Sequence, residues 1–281
     1  MPNRRKTQYK RSPAFSIVVR DVIFVKWGGA VITNKSGVKE PKVGIIRRLG
    51  RELRPLLDEY SILLGHGSGS FGHWAAVEYA DLKRTNPALY AAKVHTVAAE
   101  LNQIVVNELV SLGIPAISFP PSAIVYSRND HPSRLCLGAL TEVLRTGKYL
   151  PVTYGDAVAD GDLGAAIYST ERIFFTLNPV FKPKRIVLVT SVDGVYTADP
   201  LKHENAERIP EITPDNFDEV RGAFGDPEGP DVTGGMLSKV ETMLALVKTS
   251  PWLEEVIITS SEQGKMAAAI RGERVGTIIH R

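Results

Sequence analysis

The 281-residue chain lacks several features that whole classes of protein require. It has one cysteine, Cys136, so an intrachain disulfide and a zinc site built on cysteines are both excluded. No apolar run approaches the roughly 20 residues that span a bilayer. No apolar core and small-residue cleavage site follow the basic N-terminus, as they would in a signal peptide. These absences predict a cytoplasmic protein without a membrane span.

The chain also lacks a broad surface of one charge. Its formal net charge is +3, but residues 1–11 contribute five basic side chains and no acidic one. The rest of the chain has slightly more acidic than basic residues. We expect residues 1–20 to form a basic, disordered tail. Basic and aromatic residues do not alternate downstream, so we expect no nucleic-acid partner.

Two common catalytic motifs are missing, and a third occurs only as a single match. No segment has the P-loop pattern G-x-x-x-x-G-K-[ST], so a Walker-type NTPase is unsupported. The stretch GSGSFG, residues 67–72, has the spacing G-x-G-x-x-G after a predicted strand, but this pattern alone is weak support for a Rossmann dehydrogenase. The same stretch fails the nucleophile-elbow pattern G-x-S-x-G. A serine hydrolase is therefore disfavoured.

The chain does have a regular alternation of strands and helices. Apolar runs such as DVIFV, SILL and RIVLV are typical of buried strands. Helical spacing of apolar residues recurs between such runs, over residues 43–60, 74–82, 88–112, 137–147, 166–177 and 234–248. This alternation predicts an α/β fold: an αβα sandwich around an open, mainly parallel sheet. In such a sheet, ligands bind at the carboxyl ends of the strands.

Glycine-rich segments follow several of the predicted strands. Backbone N–H groups in such loops, with the helix N-termini behind them, bind anions. One loop alone would favour an ordinary tight turn, whereas the whole set favours phosphate binding. The segments are KWGGA, GHGSGSFGH, YGDA, TSVDG and DVTGGM.

Lysines stand near the mouths of these loops. Lys26 ends the first predicted strand, Lys35 follows the Gly28-Gly29 turn, and Lys239 lies in the first turns of the last long helix. Phosphoryl transfer needs positive charge around the transferred group and little covalent help from the protein. Lys26 follows the apolar IFV, so a role as a solvated surface charge is disfavoured.

Taken in order, the segments resemble the amino acid kinase superfamily, and most closely the isopentenyl phosphate kinases. The segments are KWGGAVITNK, GHGSGSFGH with its trailing histidine, YGDAV, TSVDGVY, DVTGGMLSK and a terminal GTII. The resemblance implies a substrate lobe at residues 21–183, a nucleotide lobe at 184–281, and a homodimer. It also implies a kinase that uses ATP with Mg²⁺ to convert isopentenyl phosphate to isopentenyl diphosphate.

The resemblance implies roles for individual residues. The expected ATP-binding residues are Lys26, Gly28, Gly29, Ala30, Asp193, Tyr196, Gly234, Gly235 and Lys239. The expected acceptor-binding residues are Gly67, Ser68, Gly69, Gly72, His73, Gly155 and Asp156. The expected catalytic residues are Lys26, Lys35, His73, Glu171 and Lys239. No protein ligand to a metal is implied. His73 would orient and neutralise the acceptor phosphate as a charged donor.

An isoprenoid acceptor also needs an apolar pocket for its tail. The apolar residues of the helices that follow the second glycine segment are candidates, although plain helix packing would explain each of them equally well. They are Trp74, Val77, Val94, Val97, Ala98 and Leu101.

Two departures from the family pattern leave alternatives open. Glu171, in Ser-Thr-Glu, stands where the family has the aspartate of Ser-Gly-Asp, which organises the catalytic lysines. Ser68 adds a hydroxyl where glycine or alanine is common. The acceptor could therefore be another phosphate, a carboxylate, or a phosphonate as in fosfomycin kinases; a non-catalytic nucleotide-binding protein is a further alternative. His66 could serve the chemistry or only shape its loop.

Overall fold

A computed structural model of the protein describes residues 20–34, 36–198, 200, 203–223 and 235–281. Of the predicted tail, only Arg20 is described. The strands are β1 (Val22–Trp27), β2 (Ser61–His66), β3 (Ala116–Ser118), β4 (Val125–Arg128), β5 (His131–Leu135), β6 (Leu150–Tyr154), β7 (Asp156–Asp160), β8 (Gly164–Tyr168), β9 (Arg185–Thr190), β10 (Val195–Tyr196), β11 (Arg208–Ile209), β12 (Glu211–Ile212), β13 (Glu255–Ser260) and β14 (Thr277–Ile279).

The helices cover both faces of these strands. They are α1 (Gly29–Ile32), α2 (Val43–Leu53), α3 (Gly69–Glu78), α4 (Leu82–Thr85), α5 (Pro87–Ser111), α6 (Pro121–Ile124), α7 (Gly138–Thr146), α8 (Thr170–Phe181), α9 (Phe217–Ala223), α10 (Gly235–Thr249) and α11 (Lys265–Arg271). Within the described ranges, no helix combines the length and the apolar content needed to cross a bilayer.

The main sheet confirms the predicted fold. Its strand order is β12-β14-β13-β9-β1-β2-β6-β3 in the described part of the chain. Every neighbouring pair is parallel except β13 with β14. Parallel strands need crossover connections, and both faces of such a sheet are then covered by helices. The result is the αβα sandwich expected from the alternating pattern.

The central strand β1 is buried on both faces. Ile23 and Val25 belong to one apolar core, which also takes residues from α2 and α5. Phe24 belongs to the core on the other face, where its ring centroid lies 4.9 Å from that of Phe174 in α8. Because side chains alternate along a strand, Lys26 faces α8 with Phe24.

The predicted helix over residues 166–177 is wrong in its first part. Residues 164–168 form β8, which pairs antiparallel with β7 in a smaller sheet of order β5-β4-β7-β8. The helix α8 begins only at Thr170, where the hydroxyl of the N-cap Ser169 accepts a hydrogen bond from Arg172 N at 3.2 Å. Strand pairing with β7 therefore overrides a local pattern that was compatible with a helix.

Two other helix boundaries differ from the prediction. The helix over residues 43–60 ends as α-helix at Leu53, because Pro55 opens a 3₁₀ turn over Arg54–Asp58. Helix α3 begins at Gly69, five residues before the predicted start. The second glycine segment is therefore partly helical, which places Gly72 and His73 on a helix.

Candidate active site

Two glycine segments touch at the carboxyl edge of the main sheet. The first follows β1 and opens α1, and the second follows β2 and opens α3. Gly67 N donates to Trp27 O at 2.9 Å. A methyl group on Gly67 would lie 2.7 Å from Gly29 N, and one on Gly29 would overlap the backbone of Gly69. Only glycine permits so close an approach of two backbones.

Thr33 holds this crossing together. It is fully buried at the end of α1. Its hydroxyl donates to Gly29 O at 2.8 Å and accepts from Ser70 N at 3.0 Å. One side chain therefore joins the first glycine segment to the second.

The backbone N–H groups of the first glycine segment differ in whether they make a hydrogen bond within the fold. Gly28 N donates to Val189 O at 2.8 Å, so this N–H is used within the fold. Gly29 and Ala30 are the first two residues of α1. Amides at the start of a helix have no intrahelical acceptor. Of the predicted residues in this turn, Gly29 and Ala30 thus have the amides best placed for a nucleotide phosphate.

Lys26 and Glu171 form an ion pair on the α8 side of the sheet. Lys26 is 8% exposed and Glu171 is 9% exposed. Burial raises the pKa of Glu171, but the charge and hydrogen bond of Lys26, with the charge of Lys239, outweigh it and lower that pKa overall. Glutamate in the Ser-Thr-Glu segment therefore reaches the lysine despite its extra methylene.

Lys239 lies one turn into α10. Its ammonium donates to Gly235 O at 3.0 Å, and Gly235 has a φ of +60°, which favours glycine. Its charge reaches Glu171, so Lys26, Glu171 and Lys239 form one electrostatic cluster. The predicted residues Lys35 and Gly234 lie outside the described residues.

On the acceptor side, His73 is exposed on α3. The Ser68 hydroxyl sits against the next turn of this helix, and a methyl group on Gly72 would overlap it. Gly72 therefore leaves the space that the Ser68 hydroxyl occupies. The serine that departs from the family pattern is accommodated by this glycine one turn later.

His66 shapes its loop. The ring is fully buried, with Nδ1 3.1 Å from Gly67 O and Nε2 3.2 Å from Asn102 Oδ1. It stacks on Tyr154 with ring centroids 5.6 Å apart. Burial lowers the pKa of His66 against the raising effect of both hydrogen bonds, which favours the neutral ring. These contacts support the structural alternative for His66.

Gly155 is held by a residue that is distant in the chain. Its N–H donates to His66 O at 3.0 Å, and the same carbonyl accepts from the hydroxyl of Thr170 at 2.7 Å. The strand ends that carry the second and third glycine segments are therefore tied together, next to the start of α8.

Asp156 directs its carboxylate into the protein. Its side chain is fully buried. Oδ1 accepts from Ala157 N at 2.8 Å, and Oδ2 accepts from Ser122 N at 3.3 Å. His95 Nδ1 lies 3.0 Å from Oδ2. Any contact of this segment with an acceptor would therefore come from the backbone at Gly155.

The two residues predicted to lie near the nucleotide contact each other just beyond β9. The hydroxyl of Tyr196 donates to Asp193 Oδ1, and this hydrogen bond raises the pKa of Tyr196. Arg208 Nε lies 3.8 Å from Asp193 Oδ2. The pair is at the same edge of the sheet as the glycine segments.

The candidate tail pocket is only partly supported. Val97, Ala98 and Leu101 belong to the core, with exposures of 5, 2 and 0%. At these exposures they offer almost no surface to an acceptor tail. Val77 is 80% exposed. Trp74 and Val94 pack against the core and remain partly exposed.

Sequence reasoning missed several residues that support the site. They are Thr33, His95, Asn102 and Ser122. The one signal in the chain was the spacing of His95 and Asn102, which are seven apart and so share a face of α5. Thr33 and Ser122 support the site through tertiary contacts, which no local sequence pattern predicts.

Known proteins are similar to this chain over most of its length. Residues 21–260 match the model of the amino acid kinase family. An isopentenyl phosphate kinase of Methanothermobacter thermautotrophicus is 32% identical, over 90% of this chain and 97% of that one. An isopentenyl phosphate kinase of Thermoplasma acidophilum is 29% identical, over 92% of this chain and all of that one.

A solved isopentenyl phosphate kinase structure has the same architecture. It superposes with a TM-score of 0.75 at 29% identity, covering 92% of this chain and 99% of that one. The similarity therefore spans both the glycine segments and the lysine cluster. The chain belongs to the amino acid kinase family and, within it, to the isopentenyl phosphate kinases.

Proposed function

We propose that this protein transfers the γ-phosphoryl group of ATP to isopentenyl phosphate, giving isopentenyl diphosphate. The observation that carries the proposal is the buried Lys26–Glu171 ion pair within the field of Lys239, at the edge where the two glycine segments cross. The near full-length similarity to proteins named isopentenyl phosphate kinase supports the choice of acceptor.

On the nucleotide side, Lys26 and Lys239 hold the ATP phosphates. Glu171 keeps the Lys26 ammonium in place before ATP arrives, so no reorganisation is needed when charge moves to the bridging oxygen. The amides of Gly29 and Ala30 add donors for the same phosphates. Lys35 would steady the transferring group.

Any Mg²⁺ would be bound together with the nucleotide. Among the described residues, no group of three or more His, Cys, Asp or Glu side chains is placed to hold a metal ion. Mg²⁺ in kinases is commonly held by the substrate phosphates, its waters and one or two carboxylates. We therefore propose that ATP phosphates supply most of its ligands. When bound, the ion would neutralise phosphate charge.

On the acceptor side, a phosphate oxygen is the nucleophile. A phosphate monoester is largely ionised near pH 7 because its second pKa is about 6, so no general base is required. His73 donates to this phosphate and offsets its charge. The Gly67 and Gly155 segments set its direction, and the Ser68 hydroxyl adds a donor at the start of α3.

We also propose how the chain is divided into lobes and how it assembles.

Residues 21–183 would form the acceptor lobe and 184–281 the nucleotide lobe. In the described residues β3 is an edge strand of the main sheet, and two apolar side chains are exposed in this part of the chain: Ile117 of β3, 38% exposed, and Val110 near the end of α5, 53% exposed. These features support a homodimer. Light scattering after gel filtration would measure it. A cytoplasmic location fits the single cysteine.

Turnover tests the proposed function. Purified protein with Mg-ATP and isopentenyl phosphate is expected to form isopentenyl diphosphate, seen by ³¹P NMR as a pair of coupled phosphorus signals. Fosfomycin, glutamate and UMP would be assayed beside it. Faster turnover of any of these three would show that the acceptor assignment is wrong, and ATP binding without turnover would favour the non-catalytic alternative.

Replacing His73 tests the acceptor side alone. His73→Ala is expected to lower kcat/KM for isopentenyl phosphate about 10- to 100-fold, since a hydrogen bond to a charged group is worth about 1.5–3 kcal/mol. KM for ATP should stay unchanged. His131→Ala, at an exposed strand start, is the matched control and should behave as wild type. Equal kcat/KM in both variants would show that His73 does not contact the acceptor.

A further inference from the structure

We propose that His95 is a positioning residue for the acceptor phosphate: through the buried carboxylate of Asp156, it fixes the Gly155 peptide. This inference rests on the proposed function. His95 Nδ1 lies 3.1 and 3.0 Å from the two oxygens of Asp156. The resemblance to known kinases gave Asp156 a place beside the acceptor, whereas its contacts show a carboxylate held from inside the fold.

Gly155 needs such support because packing does not define its position. A methyl group built on Gly155 would have its nearest neighbour 3.7 Å away, an ordinary contact. Its N–H is fixed by His66 O at 3.0 Å. On its other side, the chain is fixed by the carboxylate of Asp156. Hydrogen bonds on both flanks, rather than side-chain packing, therefore set the direction of this peptide.

Helix α5 supplies both fixed points. Residues 95, 98 and 102 share one face of this 25-residue helix. Asn102 contacts the ring of His66, Ala98 is buried between, and His95 contacts Asp156. One rigid helix face thus holds the end of β2 and the start of β7, which adjoin the two acceptor segments.

The chemistry of the contact between His95 and Asp156 identifies the donor and the acceptor. An ionised carboxylate only accepts hydrogen bonds, so Nδ1 of His95 is the donor. The hydrogen bond to Asp156 raises the pKa of His95 against the opposing effect of burial. Ser122 adds its backbone N–H to the same carboxylate, and its hydroxyl lies 3.2 Å from Nδ1. In the described residues, Nε2 has no hydrogen-bond partner, and the side chain is 37% exposed.

A purely structural ion pair and a positioning residue predict different kinetics. If His95 only stabilised the fold, its loss would lower the melting temperature and impair both substrates together. If it positions Gly155, its loss should weaken acceptor binding selectively. The Lys26–Glu171 pair lies on the opposite face of the sheet from α5, so binding of ATP should be spared.

The first experiment compares His95→Ala with His95→Gln. His95→Ala is expected to raise KM for isopentenyl phosphate about tenfold, the size expected for a lost hydrogen bond to a charged group. The kcat and KM for ATP should stay close to wild type, while the melting temperature should fall because the buried Asp156 carboxylate loses a hydrogen-bond donor. His95→Gln keeps an N–H for Asp156 and should restore most of the loss. Thr96→Ala, on the exposed side of the same helix, is the control.

A double-mutant cycle with Asp156→Asn tests whether His95 acts through that carboxylate. If it does, His95→Ala should raise KM for the acceptor little further in the Asp156→Asn background, since coupled residues are not additive. Three results would overturn the proposal. They are an unchanged KM for the acceptor in His95→Ala, a rise in the KM values for both substrates together with a fall in stability, and fully additive effects on KM in the cycle.

The test separates this proposal from the proposed function. Failure of the wild type to turn over isopentenyl phosphate would reject the proposed function alone. Calorimetric binding of inorganic phosphate to wild type and to His95→Ala then decides the role of His95. Weaker binding by the variant supports the proposal, and equal binding, or none to the wild type, contradicts it.

Discussion

Lys26→Met is expected to lower kcat about 10²- to 10³-fold, the usual effect of removing one group that stabilises charge in a transition state. It should also destabilise the fold. The variant leaves Glu171, only 9% exposed, without its direct ionic partner. Breaking a buried pair from one side costs about 3–5 kcal/mol. The measurements are steady-state kinetics and the free energy of unfolding in urea.

A second substitution separates the two effects. In Lys26→Met/Glu171→Leu the whole pair is replaced by apolar side chains, and such replacements are commonly neutral or stabilising. The double variant should regain the free energy of unfolding of wild type while kcat stays low. Recovery of kcat with stability would show that the pair serves only the fold, and so would a kcat near wild type in Lys26→Met alone.

Gly29→Ala is expected to have the second large effect. The added methyl would overlap the backbone of Gly69, which no rotamer change can relieve. Overpacking of this kind costs about 1–3 kcal/mol. The two glycine segments would also move apart, and a displacement of about 1 Å at a site can cost about 10²-fold in rate. Both the free energy of unfolding and kcat/KM should therefore fall.

Gly44→Ala is the matched control for this prediction. Gly44 lies exposed in α2, and a methyl group there would have nothing within 4 Å. Alanine is the better helix former by about 0.8–1 kcal/mol, so this variant should be more stable than wild type with unchanged kinetics. If Gly29→Ala behaved like Gly44→Ala, the crossing of the glycine segments would not constrain the site.

Much of the architecture follows from local sequence. The strands β1, β2 and β9 each contain a continuous run of apolar residues, which is what a parallel sheet covered on both faces requires. The burial of Lys26 could be predicted because four apolar residues of the same strand precede it. The order of the glycine segments, rather than any single one, identified the family.

The contacts that assemble the site could not be predicted in this way. Glu171 and Lys26 are 145 positions apart, and their meeting depends on where α8 packs on β1. The strand β8 was missed because its pairing with β7, and not its own residues, decides its conformation. His95 and Asp156 meet only because α5 packs against the start of β7. Such contacts are set by tertiary packing.

The most direct test is a crystal structure with a non-hydrolysable ATP analogue, Mg²⁺ and isopentenyl phosphate bound. The account predicts the nucleotide phosphates on Lys26 and Lys239. It predicts the acceptor phosphate between His73 and the Gly155 peptide, in line with the γ-phosphate. An acceptor phosphate bound away from His73, or nucleotide phosphates that leave Lys26 paired only with Glu171, would contradict it.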